Sequence, residues 1–161
     1  MKETVTFDGA KGELKVIGHR HLAMNAEALS RHLDALVGVQ VAEVIMDNHE
    51  NRLGKEDVAK IREERPQASI REIIDLFLET ESLSGIGVAR ITLSDNPADP
   101  IILEISNPIV IGTSGASKAL MFSYWAGALS ALLSRELEVR DVLYDQDLKV
   151  LRCQIAERLP K

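Results

Sequence analysis

The sequence predicts an α+β domain in which two hairpins form an antiparallel sheet that is covered by helices. Apolar residues recur at helical spacing through most of residues 25–84 and again, with few interruptions, through residues 116–134. They alternate at period two on both sides of residues 95–100 and once more after residue 136. The resulting order of helices, hairpin, helix and hairpin is typical of α+β folds.

Composition is compatible with one domain over residues 1–161, made of an N-terminal arm or short hairpin (residues 1–18) and a core (residues 19–157). A net charge of −6 argues against nonspecific binding to nucleic acid or anionic membranes. We find no apolar run long enough to span a membrane and no secretory signal. The single cysteine cannot form an intramolecular disulfide, so we expect a cytoplasmic protein.

The first helices have readable boundaries. Asn25 is a typical N-cap, and the apolar repeat that follows it ends at Gly38. A second helical run begins near Val39. We expect Leu53-Gly54 to break or kink this helix and Pro66 to end it. One stripe of this second run contains Val41, Val44, Ile45 and Asn48.

The third helix begins with Ser69-Ile70-Arg71-Glu72, which is a capping box. It then presents one apolar face, formed by Ile70, Ile73, Ile74, Phe77 and Leu78.

Two hairpins follow from period-two alternation around turn residues. In the first, alternating apolar residues before the turn at residues 95–100 (Ala89, Ile91 and Leu93) are followed by alternating apolar residues after it (Ile101, Leu103 and Ile105). The second hairpin turns at Asp145-Gln146-Asp147. Its two strands are each expected to place alternate residues on the apolar face of the sheet, namely Leu137, Val139 and Leu143 in the first strand and Leu151, Cys153 and Ile155 in the second. We therefore expect Cys153 to be a small buried apolar residue, with a sensing or acylated thiol as the alternative.

The helix over residues 116–134 is apolar nearly all round, as in buried helices. Small residues recur every four positions at Ala119, Ser123, Gly127 and Ala131, while Met121, Trp125, Leu129 and Leu132 form a bulky ridge. Small side chains either let another element approach closely or leave room for a ligand. The sequence leaves both alternatives open.

Several short motifs resemble one family. Ser123-Tyr124-Trp125-Ala126-Gly127, the apolar residues after it, Glu138-Val139 and a last strand with Cys153 resemble the C-terminal signature of the 4-vinyl reductase (hydrocarbon-binding) domain family. Upstream, Ser84-Gly85-Ile86-Gly87, Ile105-Ser106-Asn107-Pro108 and Gly18-His19-Arg20 are similar to other parts of that family. The resemblance covers residues 18–157.

The resemblance implies a fold shared with sensor domains of aromatic-responsive activators, with Golgi-transport tethering subunits and, more remotely, with haem–nitric oxide sensors. It implies an apolar ligand or acyl chain held between helices and sheet, and often a homodimer. It also offers two alternatives, namely a protein–protein assembly module of the tethering type and a reductase-like role in tetrapyrrole metabolism.

The chain departs from the family's metal ligands. Where aromatic-sensing members bind zinc, the matching positions are Lys118 or Ala119, Arg140, Asp145 and Cys153, and two cationic side chains would repel a metal ion. A Tyr-x-Ser-x-Arg motif for haem propionates is also missing. We therefore expect no metal and no cofactor.

The other residues that could bind a metal or an anion, or take part in catalysis, are better explained by common structural roles. The four histidines lack a metal-binding spacing and are expected at the surface or in caps. Glu56-Asp57 and Glu63-Glu64 lie among basic residues, which predicts a solvated, salt-bridged face. The segment at residues 113–117 could cradle an anion, but it lacks the phosphate-binding motifs, so a simple helix-start turn is favoured. No nucleophile–base pair indicates catalysis.

The sequence thus predicts a non-catalytic domain that binds or senses a small hydrophobic molecule. Tyr124 or the Trp125 indole N–H is the expected polar contact. The side chains proposed to bind the ligand are Phe77, Ile91, Met121, Tyr124, Trp125 and Leu129.

Overall fold

A computed structural model describes residues 5–8, 13–16, 19–21, 25–94, 96 and 98–158, with the backbone alone in the first three ranges and at Ser84. The element order in these residues is β1 Val5–Asp8, β2 Glu13–Val16, β3 His19–His21, α1 Ala26–Val37, α2 Val39–Glu64, α3 Ile70–Ser84, β4 Val88–Thr92, β5 Ile101–Ser106, α4 Gly115–Leu133, β6 Leu137–Asp145 and β7 Val150–Glu157.

The main sheet has the strand order β4-β5-β7-β6, and all its neighbours are antiparallel. The two predicted hairpins are therefore both present, and the pairing of β5 with β7 joins them into one sheet. Alternate residues of β5 and β7 are buried, as the period-two pattern predicts: Ile101, Leu103, Ile105, Leu151, Cys153 and Ile155. The predicted α+β class is confirmed.

A second, three-stranded antiparallel sheet precedes the helices, in the order β1-β2-β3. The first two strands form a short hairpin with Val5 opposite Val16, and His19–His21 adds a third strand. Gly18, which belongs to one of the motifs that resemble the family, lies outside the described residues.

The helix boundaries follow the capping chemistry of the sequence. Asn25 Oδ1 accepts a hydrogen bond from the Ala28 amide at 2.8 Å, and Gly38 ends α1. The capping box of α3 is complete, because Ser69 Oγ accepts from the Glu72 amide at 3.2 Å and Glu72 Oε2 accepts from the Ser69 amide at 2.8 Å. These hydrogen bonds lower the pKa of Glu72.

Two local predictions are wrong. Helix α2 does not break at Leu53-Gly54 but continues to Glu64, and Gly54 is buried where the helix packs closely against α4. In β6 a bulge between Arg140 and Leu143, with Asp141 at φ 48°, shifts the register. Leu143 is therefore 67% exposed instead of sharing the apolar phase of Leu137.

Apolar side chains are also found outside the core. The stripe of α2 formed by Val41, Val44 and Ile45 faces outward, with exposed fractions of 48–61%.

Among the helices that the structure describes, none combines the length and hydropathy needed to cross a membrane.

Candidate functional site

The six predicted ligand-binding side chains belong to one core cluster between α3, α4 and the sheet. Four of them, Phe77, Met121, Trp125 and Leu129, are at most 1% exposed, while Ile91 and Tyr124 pack against the cluster and are partly buried. The sequence periodicity therefore identified side chains that lie together.

Three aromatic rings form the centre of this cluster. Phe77 of α3 meets Tyr124 and Trp125 of α4 edge to face, with centroids 5.6 and 6.0 Å apart, and the latter two rings are 6.5 Å apart. Each pair of ring planes is nearly perpendicular, which places positive ring edges on negative ring faces.

Carboxyl groups border the aromatic rings, and the sequence interpretation missed them. Asp57 of α2 was expected on a solvated face, yet it is only 5% exposed and its Oδ2 accepts a hydrogen bond from Tyr124 Oη at 2.8 Å. Glu81 of α3 is also buried, and the half-buried Glu50 of α2 acts electrostatically on Tyr124. We call Glu50, Asp57, Phe77, Glu81, Tyr124 and Trp125 the aromatic–carboxyl cluster.

Burial changes the ionisation of this cluster. It raises the pKa of Glu81 to about 8 and that of Glu50 to about 7, because a carboxylate is poorly solvated there. Burial, followed by the negative charge of Asp57, raises the pKa of Tyr124. Near neutral pH Glu81 is therefore largely protonated and can donate as well as accept a hydrogen bond.

The Trp125 indole N–H is the unusual group of the cluster. Its Nε1 atom is buried and has no hydrogen bond of acceptable geometry to the residues that the structure describes. It nevertheless faces the Glu81 carboxyl closely enough to oppose the rise in that group's pKa. The indole N–H therefore has the Glu81 carboxyl as a nearby but poorly aligned partner, and a better-placed acceptor would strengthen its hydrogen bonding.

The positions of Asp57 and Glu81 in the sequence do indicate that these carboxyl groups are buried. Glu81 follows Phe77 by four residues and so continues the apolar face of α3. Asp57 likewise precedes the buried Ile61 by four residues on α2. Charged residues in phase with a buried face indicate a buried polar group, even when their neighbours in the sequence are basic.

The small-residue ridge of α4 packs against α2 at Gly127, while Ala119 and Ser123 of the same ridge also border a polar surface cleft of about 150 Å³. A Cβ atom added at Gly127 would overlap the backbone carbonyl of Asn51, and one added at Gly54 would overlap the carbonyl of Tyr124. Ser123 Oγ also donates to Asp47 Oδ1 at 2.6 Å. Close packing is thus realised at Gly127, where α2 is the element that approaches.

The N-terminus of α4 already holds anionic groups of the chain itself. Asp34 Oδ1 accepts from the Ala116 amide and Glu43 Oε2 accepts from the Gly115 amide, each at 2.9 Å. Since these carboxylates occupy the positive end of the helix, the segment at residues 113–117 serves as a helix-start turn.

The positions that match zinc ligands of the resembling family do not fit a metal ion. The Lys118 ammonium lies 2.7 Å from a Glu43 oxygen, and the Arg140 guanidinium lies 2.7 Å from a Glu138 oxygen. Cys153 is fully buried, and burial raises the pKa of its thiol to about 12, which disfavours the thiolate that zinc requires.

Two surface clefts lie elsewhere. One of about 410 Å³ is bounded by α1 and the segment at residues 108–111, and a polar one of about 150 Å³ lies near Lys118 and Glu138. None of the six predicted ligand-binding residues lines either cleft.

No family model matches the sequence. No curated protein matches it either. Among solved structures, the phenol-responsive sensory domain of the transcription activator PoxR, crystallised with phenol, is similar with a TM-score of 0.70. The sequences are 16% identical over 96% of this chain and 85% of that chain, so the likeness supports the fold alone. An H-NOX domain, Tt H-NOX, reaches a TM-score of 0.42 at 14% identity, over 89% of this chain and 77% of that chain, which is too low to support an inference.

Proposed function

We propose that this domain binds a small, largely apolar molecule that carries one hydrogen-bond acceptor, and that it senses this molecule without catalysing a reaction. The observation that carries the proposal is the buried Trp125 N–H, which forms no well-aligned hydrogen bond although the Glu81 carboxyl lies near it, within a cluster of aromatic rings and carboxyl groups. An acceptor on a ligand would satisfy this donor, while the rings would contact the apolar part.

The six side chains predicted from the sequence, namely Phe77, Ile91, Met121, Tyr124, Trp125 and Leu129, are proposed to line the site. Tyr124 is the weaker polar candidate because its hydroxyl already donates to Asp57. The six side chains pack in one core, so a guest must part them. Met121 is the most adaptable member, since methionine is unbranched and flexible.

Fold similarity to a phenol-responsive sensory domain supports this proposal at the level of architecture. Membership of the 4-vinyl reductase domain family, a cytoplasmic location and a homodimeric state remain predictions from the sequence. An assembly role of the tethering type is the second candidate, and the exposed apolar residues at the start of α2 favour it.

The test compares matched probes with and without an acceptor, namely phenol against toluene and octanol against octane. Trp125 is the only tryptophan, so its fluorescence reports directly on entry of a guest. At a tenfold excess over Kd we expect stabilisation by about 1.4 kcal/mol, which raises Tm by roughly 3–6 °C. Phenol or octanol should bind more tightly than its counterpart.

Trp125→Phe should remove that preference, while Phe122→Leu serves as a control because it alters a buried ring of the same helix outside the aromatic trio. The proposal fails if neither class of probe shifts Tm. It also fails if both variants lose the preference equally.

A further inference from the structure

A guest reaches the rings of the aromatic–carboxyl cluster only if one of the elements around them moves. Phe77 and Trp125 are at most 1% exposed, and their rings meet edge to face. The core that contains them is built from α2, α3, α4 and the main sheet. These elements are held to one another by different kinds of contact, and the difference indicates which of them moves.

Helices α2 and α4 are held together by their backbones as well as by side chains. Gly54 and Gly127 bring the two helices so close that a Cβ atom at either position would overlap a carbonyl of the other helix. The Lys118 ammonium of α4 also lies 2.7 Å from a Glu43 oxygen of α2. Separating these helices would therefore disrupt close backbone packing and an ion pair together.

The main sheet is likewise fixed to α4. Its four strands are joined by hydrogen bonds, so they cannot part singly without breaking a ladder. At the end of α4, the buried Ser130 Oγ accepts a hydrogen bond from the Leu137 amide of β6 at 3.0 Å. This hydrogen bond ties the sheet to the helix that carries two of the three rings.

Helix α3 meets α4 through side chains. The Phe77 ring lies 5.6 and 6.0 Å from the two rings of α4, measured between centroids. Glu81 lies near the Trp125 N–H without a well-aligned hydrogen bond to it. Thr80 Oγ1 donates to a carbonyl of α3 itself. Contacts of this kind separate more readily than packed backbones do, so α3 is the element best suited to move.

Both ends of α3 allow a change of angle. Residues 65–67, which follow α2, are exposed. At the other end, Gly85 has a φ of 79°, and a Cβ atom there would meet nothing within 4 Å. Gly87 is fixed by contrast, because a Cβ atom there would overlap Ile105 and the Ser106 carbonyl of β5. Hinges are a few residues at the ends of elements that absorb changes in φ and ψ.

We propose that α3 is a lid over the aromatic–carboxyl cluster, which swings outward about residues 65–67 and Gly85, admits a guest beside Trp125 and closes on it with Phe77. The inference rests on the proposed function, because it assigns the control of that same site. The opening itself is a property of the empty chain and is measured without a guest.

The test is amide hydrogen exchange of the full chain, followed by mass spectrometry on peptides from residues 74–83 of α3 and 119–133 of α4. After correction for intrinsic rates, the α3 amides should exchange about 100-fold faster or more. Urea below the unfolding transition should raise the α4 rates and leave the α3 rates nearly unchanged, because a local opening exposes less surface. Equal rates with equal urea dependence overturn the proposal, since α3 then opens only with the whole chain.

Three variants separate the lid from global unfolding. Phe77→Leu loosens the ring contacts and should accelerate α3 exchange about tenfold or more. Leu83→Ala, on the exposed face of α3, is the matched control and should leave it within about twofold. Gly127→Ala disturbs the contact between α2 and α4, so it should accelerate α4 exchange alone. Equal acceleration of both helices by Gly127→Ala contradicts the lid, and if that variant does not fold, the urea series on the wild-type chain decides.

Phenol and octanol distinguish failure of the lid from failure of the proposed function. At a tenfold excess over Kd, either probe should slow α3 exchange about tenfold, because the opened chain releases its guest. A probe that changes Trp125 fluorescence but not α3 exchange overturns the lid and leaves the proposed function standing. Local opening of α3 without binding of either probe supports the lid and overturns the proposed function.

Discussion

The two faces of α4 behave in opposite ways. Its small-residue face, around Ser123 and Gly127, is filled by the backbone of α2, whereas its bulky face, around Tyr124 and Trp125, holds buried polar atoms among aromatic rings. The small side chains left close packing and a ligand cavity both open, and at Gly127 the neighbouring helix α2 occupies the space. The bulky face, whose residues were expected to contact a ligand, carries the buried Trp125 N–H, which has no well-aligned acceptor.

Gly127→Ala should have the largest effect and tests the close helix contact directly. In a solvated helix this change stabilises by about 1 kcal/mol, but here the new Cβ would overlap the Asn51 carbonyl. We expect a loss of roughly 3 kcal/mol in the free energy of unfolding, measured by urea denaturation. Ala59→Leu on the exposed face of α2 is the control and should change stability by less than about 0.5 kcal/mol. Unchanged or increased stability of Gly127→Ala would show that α2 and α4 are not in backbone contact.

Tyr124→Phe tests the polar side of α4. It removes the donor to Asp57 and leaves a buried carboxylate with one hydrogen bond fewer, so stability should fall by about 1–3 kcal/mol at pH 7. Tyr144→Phe, a partly buried tyrosine of β6, is the matched control. Equal stability of the two variants would mean that the hydrogen bond to Asp57 contributes nothing.

The pH dependence of stability sharpens the same contrast. The pKa of Glu81 is raised in the folded chain to about 8, so its contribution to stability is complete below about pH 4.5 and is lost as the pH rises through about 8. Between these pH values, one such group makes the free energy of unfolding fall by about 1.4 kcal/mol for each unit of pH. Glu81→Gln should remove that part of the slope, leaving the part due to Glu50, whose pKa is about 7. Glu79→Gln, exposed on the same helix, should leave the slope intact, and a slope that persists unchanged in Glu81→Gln would contradict the assignment.

Ser123→Ala should have the smallest effect. Ser123 Oγ donates to Asp47 Oδ1 on the small face of α4, and Asp47 retains access to solvent, so the loss should be about 1 kcal/mol or less by thermal denaturation. Ser117→Ala near the start of α4 is the control for removing a hydroxyl from this helix. A loss as large as that of Tyr124→Phe would mean that the two faces of α4 do not differ in polar burial.

Local chemistry in the sequence determined much of the architecture. The cap at Asn25, the stop at Gly38 and the box at Ser69 and Glu72 depend on side chains within four residues of each other, so they could be predicted without a structure. The alternation in β5 and β7 likewise predicted which residues are buried, because the period of a strand is fixed by its backbone.

Tertiary packing decided what the local pattern left open. The bulge that exposes Leu143 arises from the pairing of β6 with β7, and the burial of Asp57 arises from its contact with Tyr124, 67 positions away. In the same way, the sequence showed that one ridge of α4 is small, but only the position of α2 determined whether that ridge borders a helix or a cavity. Spacing along a chain specifies which side chains share a face; what that face meets depends on the free energy of the whole packed structure.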